Sequence, residues 1–173
     1  PGLDRTLIAG VLDEVVLEGL RDLEAQAAPR DWTRRSRSDG SRIGRVSGWT
    51  LGLDLVDAPG RSLVEHVVRL AVAANTSHHR FDCDRVSPDD PPFLLRLEHD
   101  DLVVPGPDLV EAWTTRKLTV VVRVSDTATR VGGVVGFMPG GAVDLAVGQV
   151  MIAPSFAAWG IEPVVSGSAT FLV

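Results

Sequence analysis

The sequence predicts an α+β fold in which helices come first and buttress a β-sandwich that fills the second half of the chain. Two segments before residue 80 carry apolar residues at helical spacing, and short β-type runs follow them. Helices followed by a run of strands are typical of α+β domains. The 173 residues match the usual size of one domain. We therefore expect a single domain over 1–173, with a helical and strand lead-in over 1–80 and the sandwich over 81–173.

The lead-in contains two predicted helices and one predicted strand. Apolar residues three and four positions apart predict a first helix over 7–27, which Pro29 would end. An Arg/Ser/Asp/Gly stretch over 34–45 indicates a loop. Alternating apolar residues predict a strand over 48–55, and a second amphipathic pattern predicts a helix over 62–74.

The second half reads as a series of short strands. Most of the runs are bounded by Pro, Gly or Asp, and such spacing favours a sandwich or a barrel. The predicted strands cover 92–97, 102–104, 117–124, 132–137, 143–145, 150–152, 160–164 and 169–173.

The charge pattern argues against nucleic acid as a partner. The net charge is −6, and a nucleic-acid binder would show a basic excess or stripe. Arginines cluster only near Trp32, and we interpret this cluster as part of a solvated, mobile loop. Its members are Arg30, Arg34, Arg35 and Arg37.

The remaining composition indicates a cytoplasmic protein. The apolar runs are far shorter than the ~20 residues that a membrane helix needs, so no membrane partner is expected. Cys83 is the only cysteine, which excludes an internal disulfide and leaves a reducing cytoplasm as the default. Sixteen arginines against one lysine are typical of GC-rich bacterial genomes.

A series of short motifs with fixed intervals covers nearly the whole second half. In order, these are 91–97, 104–108, 116–122, 125–126, 132–133, 148, 154–155, 159–164 and 167–169. The series resembles the prolyl-hydroxylase-like branch of the iron- and 2-oxoglutarate-dependent oxygenases, especially its bacterial members. There the last motifs read Gly, Pro-Ser, His-x-Val-x-Pro-Val and Gly-x-Arg. The resemblance implies a double-stranded β-helix (jelly-roll, cupin-like) with buttressing helices.

The resemblance also implies where a metal would be held, and the chain departs from the pattern there. The family's His-x-Asp pair falls on Gly106 and Asp108, and its second histidine falls on Trp159. Glycine has no side-chain donor, and the indole N–H of tryptophan only donates. Of the two histidines and one carboxylate that hold Fe(II), only the carboxylate remains. We therefore expect no metal.

The positions implied for the cosubstrate have become apolar as well. Ala169 replaces the arginine that would clamp the carboxylate of 2-oxoglutarate, and Leu97 replaces a tyrosine near the same pocket. Val134 replaces the glutamate of a Gly-Gly-Glu motif. We therefore expect no cofactor.

No other residue offers a metal site or a nucleophile. The four histidines lack ligand spacing to Asp108 and are interpreted as surface or structural residues. They are His66, His78, His79 and His99. Cys83 has no identifiable histidine partner and is interpreted as a buried, inert thiol.

The first functional hypothesis is a repurposed pocket for non-redox chemistry on an apolar small molecule. Cyclisation, isomerisation or proton transfer in bacterial secondary metabolism would fit. Asp108 would be the general acid or base, because an apolar environment raises the pKa of a carboxyl group. Arg116 would lie near the pocket mouth or pair with Asp108 and keep it ionised. The remaining pocket residues would be Leu97, Gly106, Trp159 and Ala169.

Two further hypotheses stand beside the first. Asp108 is equally consistent with capping a turn, and Trp159 with filling the interior as core. The chain would then be a non-catalytic pseudo-oxygenase that binds a ligand or a partner enzyme, or forms a homo-oligomer. Residual oxygenase activity with an unusual metal site is the third hypothesis.

Overall fold

The architecture is built from two helices and thirteen strands within the described part of the chain. The structure is a computed structural model that describes residues 7–36, 45–53, 58–83, 86, 91–106, 118–138 and 141–173. The helices are α1 (Glu14–Gln26) and α2 (Ala58–Ser77), with a 3-10 turn at Pro29–Asp31. The strands are β1 (Leu7–Val11), β2 (Thr33–Arg35), β3 (Val46–Gly52), β4 (Phe93–Leu97), β5 (Leu102–Gly106), β6 (Leu118–Asp126), β7 (Val131–Gly132), β8 (Val135–Met138), β9 (Gly141–Val143), β10 (Gln149–Pro154), β11 (Ala158–Ile161), β12 (Val164–Ser166) and β13 (Ala169–Leu172).

The strands form one curled antiparallel sheet that folds over on itself. Its order is β1-β10-β6-β13-β4-β3-β5-β11-β8-β9, and β2 extends it beside β3. Strand β3 joins the two halves of the curled sheet, because its first residues pair with β5 and its last four pair with β4. A separate short pair joins β7 to β12. The predicted α+β jelly-roll with two buttressing helices is confirmed.

Two apolar cores lie on the two faces of the sheet. The first, which we call the interior core, fills the space enclosed by the curled sheet and includes Leu97, Val121, Trp159, Ala169 and Phe171. The second lies between the sheet and the helices. Alternation along β6 separates them, since Val121 belongs to the interior core while Val122 and Val124 belong to the helix-facing core. Each fully buried aliphatic side chain contributes about 1.5–3 kcal/mol.

The helices pack closely against each other and against the sheet. Helix α1 buries Val16, Leu17 and Leu20. Gly19 permits the close approach of α2, because a Cβ at this position would lie 2.6 Å from Cδ2 of Leu63. Within the described ranges, neither helix is long and apolar enough to cross a bilayer.

The predicted first helix is wrong over its first seven residues, which is about two turns. The segment Leu7–Val11 forms β1 and pairs with β10, and the helix begins only at Glu14. An apolar run such as Leu-Ile-Ala-Gly-Val fits either period, and Gly10 disfavours a helix. Pairing with a strand from the other end of the chain decides the outcome.

The predicted loop over 34–45 is wrong at its beginning. Arg34 and Arg35 belong to β2, which pairs with β3. The side chain of Arg34 is 45% exposed, but its guanidinium is held in place because it donates to both carboxylate oxygens of buried Asp101 at 2.7 and 2.6 Å. Arg37 and the rest of this stretch up to residue 44 lie outside the described residues.

Several element boundaries also differ from the prediction. The predicted strands 132–137 and 160–164 are each divided into two short strands, because their central residues turn the chain between the main sheet and the β7–β12 pair. The strand predicted over 48–55 is β3 at Val46–Gly52, and the helix predicted over 62–74 extends to Ala58–Ser77.

Candidate functional site

The structure brings Gly106 and Trp159 together. Strand β5 ends at Gly106 and pairs with β11, and in this pair Trp159 lies directly opposite Gly106. On its other side, Trp159 is paired with Phe137 of β8. The two positions at which the sequence resemblance expects histidines are therefore cross-strand neighbours.

Leu97 and Ala169 form a second cross-strand pair. They lie opposite each other on β4 and β13, and both belong to the interior core with Trp159. The exposed fractions are 0% for Leu97, 3% for Trp159 and 1% for Ala169. These three side chains are therefore packed against protein and present almost no surface to solvent. Asp108 and Arg116 belong to segment 107–117, which lies outside the described residues.

Arg45, which the sequence analysis did not identify, lies against the Gly106–Trp159 pair. Its Nη1 donates to the carbonyl oxygens of Val104 at 3.0 Å, Gly106 at 2.6 Å and Trp159 at 2.9 Å. Its Cζ lies 5.5 Å from the centroid of the Trp159 ring, within the range of a cation–π interaction. A positive charge therefore lies between the two strands at the positions where iron ligands were expected.

The absence of a side chain at Gly106 is what allows Arg45 to lie there. A Cβ at position 106 would meet Cδ of Arg45 at 2.9 Å and its Nη1 at 3.2 Å. A histidine at this position would require Arg45 to move and to give up its carbonyl contacts. No local pattern predicts this arrangement, because Gly106 and Trp159 are 61 and 114 residues away from Arg45 along the chain.

The described residues do not fit an Fe(II) and 2-oxoglutarate site. Within the described ranges no three His, Cys, Asp or Glu side chains lie close enough to hold a metal ion. Gly106 offers no donor, and Trp159 offers only an N–H that cannot ligate a cation. Ala169 cannot clamp a carboxylate.

A second arginine, the buried Arg123 on β6, does not supply a carboxylate clamp. Arg123 is 1% exposed, and its Nη1 donates to Oδ1 of Asp144 at 2.8 Å and to the carbonyl oxygen of Leu145 at 2.6 Å. Its Nη2 lies 3.1 Å from Asp126, and Arg130 pairs with both aspartates. The two carboxylates thus balance the two guanidinium groups, so the cluster offers no surplus positive charge to an anion.

The electrostatics of this cluster follow from burial and pairing. Burial and the nearby charge of Arg130 lower the pKa of Arg123, against the pull of the aspartates. Burial alone would raise the pKa of Asp144. Hydrogen bonds from Arg130 and Arg123 outweigh burial and hold that pKa below its ordinary value.

A third arginine contact fixes the start of β5. Buried Asp101 accepts from both arms of Arg34, from the hydroxyl of Ser47 at 3.0 Å and from the backbone N–H of Glu98 at 3.0 Å. Burial would raise the pKa of Asp101, but these hydrogen bonds lower it below the ordinary value. The same guanidinium lies 5.4 Å from the ring of Trp49. This contact holds together β2, β3 and the turn before β5.

The histidines lie apart from the Gly106–Trp159 pair. His79 is buried and stacks on Phe81, with a distance of 5.7 Å between the ring centroids. Nδ1 of His99 lies 2.8 Å from the carbonyl oxygen of Val165. Cys83 is half-buried.

A shallow surface pocket of about 220 Å³ lies between β1, α1 and α2. It is lined by Val11, Leu12, Asp13, Val16, His66, Arg69 and Leu70. Next to it Val15 is 83% exposed and Val11 is 61% exposed. Val11 at the end of β1 and Val15 in α1 are thus two exposed apolar side chains close together in sequence.

Comparison with known proteins connects this fold to one group of structures. No protein-family profile and no curated protein sequence matches the chain. Among solved structures, a Pseudomonas putida prolyl-4-hydroxylase superimposes with a TM-score of 0.70 at 10% identity, covering 97% of this chain and 88% of that one. The viral collagen prolyl hydroxylase of Paramecium Bursaria Chlorella virus-1 gives 0.65 at 11% identity, with coverages of 99% and 93%.

A third solved structure extends the range of reactions in this group. The non-heme α-ketoglutarate-dependent epimerase SnoN from nogalamycin biosynthesis gives a TM-score of 0.61 at 16% identity, with coverages of 98% and 76%. At such low identities the likeness concerns the fold. The chain has the double-stranded β-helix fold of the prolyl-4-hydroxylase-like 2-oxoglutarate and Fe(II) oxygenases.

Proposed function

We propose that this chain is an oxygenase-fold protein that has lost Fe(II) and 2-oxoglutarate chemistry and acts as a non-catalytic binding protein. The observation that carries the proposal is the packing at the expected ligand positions. Trp159 and Arg45 lie against Gly106, where two histidines and a metal would be needed. Glycine has no side chain, and neither an indole N–H nor a guanidinium donates an electron pair to a cation, so these positions offer no side-chain ligand to a metal.

The burial of the interior argues against a ligand pocket there, and therefore against catalysis in the interior. Leu97, Trp159 and Ala169, which were predicted to line a ligand pocket, are nearly fully buried. A pocket of drug-like size exposes its walls before the ligand arrives. Their burial is the expected result when an aromatic ring fills the former site as core.

Anaerobic titration tests the loss of oxygenase chemistry. The protein is titrated with Fe(II) and 2-oxoglutarate while the heat of binding and the weak visible charge-transfer band are recorded. We expect neither stoichiometric heat nor the band, because the first coordination shell lacks two ligands. A band that saturates at one iron per chain would overturn the proposal.

A second candidate function is non-redox chemistry at Asp108. The α-ketoglutarate-dependent epimerase SnoN has a similar fold, so proteins of this fold carry out reactions other than hydroxylation, in that case with the cosubstrate. In this candidate Asp108 is the general acid or base, Arg116 lies at the mouth and an apolar molecule contacts Trp159. The burial of Leu97, Trp159 and Ala169 opposes it, because these side chains present almost no surface to a ligand.

A ligand screen separates the two candidates. Apolar carbonyl compounds and free indole are tested for their effect on the melting temperature of the wild type and of Trp159→Ala. The binding-protein proposal predicts that the wild type is not stabilised through its interior, whereas Trp159→Ala gains indole binding in the cavity that it opens. The catalytic candidate predicts instead that an apolar compound stabilises the wild type more than it stabilises Trp159→Ala. It also predicts turnover that Asp108→Asn abolishes while binding persists.

A further inference from the structure

We propose that Arg45 is the residue that closes the former metal position, its guanidinium serving as a built-in cation in place of iron. The inference rests on the proposed function and adds to it the group that excludes a metal. Arg45 precedes β3 directly, and β3 is the strand that joins the two halves of the curled sheet. Its side chain is therefore anchored at the corner of the fold, next to the end of β5.

The surroundings of Arg45 are those that a cation requires. Three carbonyl oxygens converge on its Nη1 within 2.6–3.0 Å, and each presents the negative end of a dipole. The electron-rich face of Trp159 lies alongside at 5.5 Å. The oxygens come from two different strands, β5 and β11, so one guanidinium nitrogen ties together the two strands on which the metal ligands were expected.

A metal ion would meet this charge directly. Two unit charges about 5 Å apart at an effective dielectric constant of about 20 lower a binding constant by more than about a hundredfold. The repulsion is larger for a divalent ion. Arg45 thus excludes a metal by charge as well as by volume.

Gly106 leaves the space that the side chain of Arg45 fills. A Cβ there would meet Arg45 at 2.9 Å, whereas a Cβ at Gly136, on neighbouring β8, would meet nothing within 4 Å. Gly106 and Arg45 therefore form a matched pair, in which the small residue is needed only as long as the large one is present.

Cobalt binding tests the proposal. A variant carrying Gly106→His and Trp159→His is compared with the same variant carrying Arg45→Ala, and Co(II) alone is titrated while its visible d–d absorption is followed. We expect Arg45→Ala to tighten Co(II) binding by at least about tenfold. Arg45→Lys retains the charge and should leave binding weak. Arg30→Ala, at a side chain that is 90% exposed, is the control and should change nothing. Equal Co(II) affinity with and without Arg45 would overturn the proposal.

A second measurement applies even if the histidine variants do not fold. Gly106→Ala and Gly136→Ala are made with and without Arg45→Ala, and melting temperatures are compared. We expect Gly106→Ala to lower the melting temperature by about 2–6 °C only when Arg45 is present. Gly136→Ala should show no such dependence, and the same loss in both Arg45 backgrounds would contradict the inference. Iron binding by the wild type would instead defeat the proposed function itself.

Discussion

The interior of this jelly-roll contains two arginine sites that differ in how their charge is accommodated. Arg123 lies among carboxylates and over Phe171, at 5.9 Å from the ring centroid. Arg45 has carbonyl oxygens and the Trp159 ring among its partners. Carboxylates neutralise a charge and titrate, whereas carbonyls and aromatic rings do neither. The comparison indicates that Arg123 is part of a structural ion-pair cluster, while carbonyl oxygens of β5 and β11 and the Trp159 ring hold Arg45 against the Gly106–Trp159 pair.

The largest expected effect comes from removing the rings beneath the two arginines. Trp159→Ala and Phe171→Ala should each lower the free energy of unfolding by about 3–5 kcal/mol, because both rings are almost fully buried. Urea denaturation measures the loss. If Trp159→Ala cost less than about 1 kcal/mol while Phe171→Ala cost the full amount, the Trp159 ring would border open space and the closed-interior account would be wrong.

Removal of Arg123 should have the next largest effect. Arg123→Met leaves Asp126 and Asp144 with only Arg130, and we expect a loss of about 2–4 kcal/mol in the free energy of unfolding. The partial exposure of both aspartates keeps the loss below that of a fully buried broken pair. Arg30→Ala, measured in the same urea series, should stay within about 0.5 kcal/mol. A stabilised Arg123→Met protein would show that the cluster costs more in desolvation than it returns.

These two arginine sites also show which parts of the structure can be predicted from the sequence. Alternation in β6 predicts a strand with two faces, and the spaced motifs predict the jelly-roll and place Gly106 near Trp159. Apart from Asp126, which is three residues from Arg123, the named partners of Arg45 and Arg123 lie at least 21 residues away along the chain, beyond the reach of local patterns. Arg123 could have been recognised from the sequence. It lies within the apolar run of β6, two residues after Val121 and thus on the same face of the strand, and a charge at such a position indicates a buried, paired arginine.

In the lead-in over 1–80, the sequence-based predictions failed for a different reason. Residues of β1 carry an apolar pattern that both a helix and a strand accept, and pairing with β10 about 140 residues later selects the strand. Similarly, Arg34 looks solvated in a polar stretch, yet the buried carboxylate of Asp101 fixes it. In both cases tertiary contacts override local propensity.

A conservative change at Arg45 should have a smaller effect than the loss of Arg123. Lysine keeps the charge of Arg45 but loses the planar group that stacks on Trp159. We expect Arg45→Lys to cost about 1–2 kcal/mol in urea unfolding and to change the fluorescence of the buried indole. Arg35→Lys, at a side chain that contacts Thr50 at 3.2 Å, is the matched control and should leave the fluorescence unchanged. Identical spectra for the wild type and Arg45→Lys would remove the stacking contact from the account.

The smallest expected effect is a dependence on pH that belongs to the Arg123 cluster. The pKa of Asp144 is lowered in the folded protein, so its contribution to stability is present above the unfolded pKa of about 3.9 and is lost as the pH falls through the folded value. Asp144→Asn should therefore flatten the fall in stability below about pH 4. Urea midpoints between about pH 7 and about pH 3 measure the slope. A variant with the same acid slope as the wild type would show that Asp144 is not linked to folding.

The central claim is that a guanidinium and an indole occupy the place of a metal centre, and diffraction from crystals soaked anaerobically with Mn(II) and 2-oxoglutarate tests it most directly. The account predicts that the Arg45 guanidinium contacts the carbonyl oxygen of Gly106 and the face of Trp159, with no anomalous peak beside them. An anomalous peak between Gly106 and Trp159, with Arg45 displaced, would contradict it.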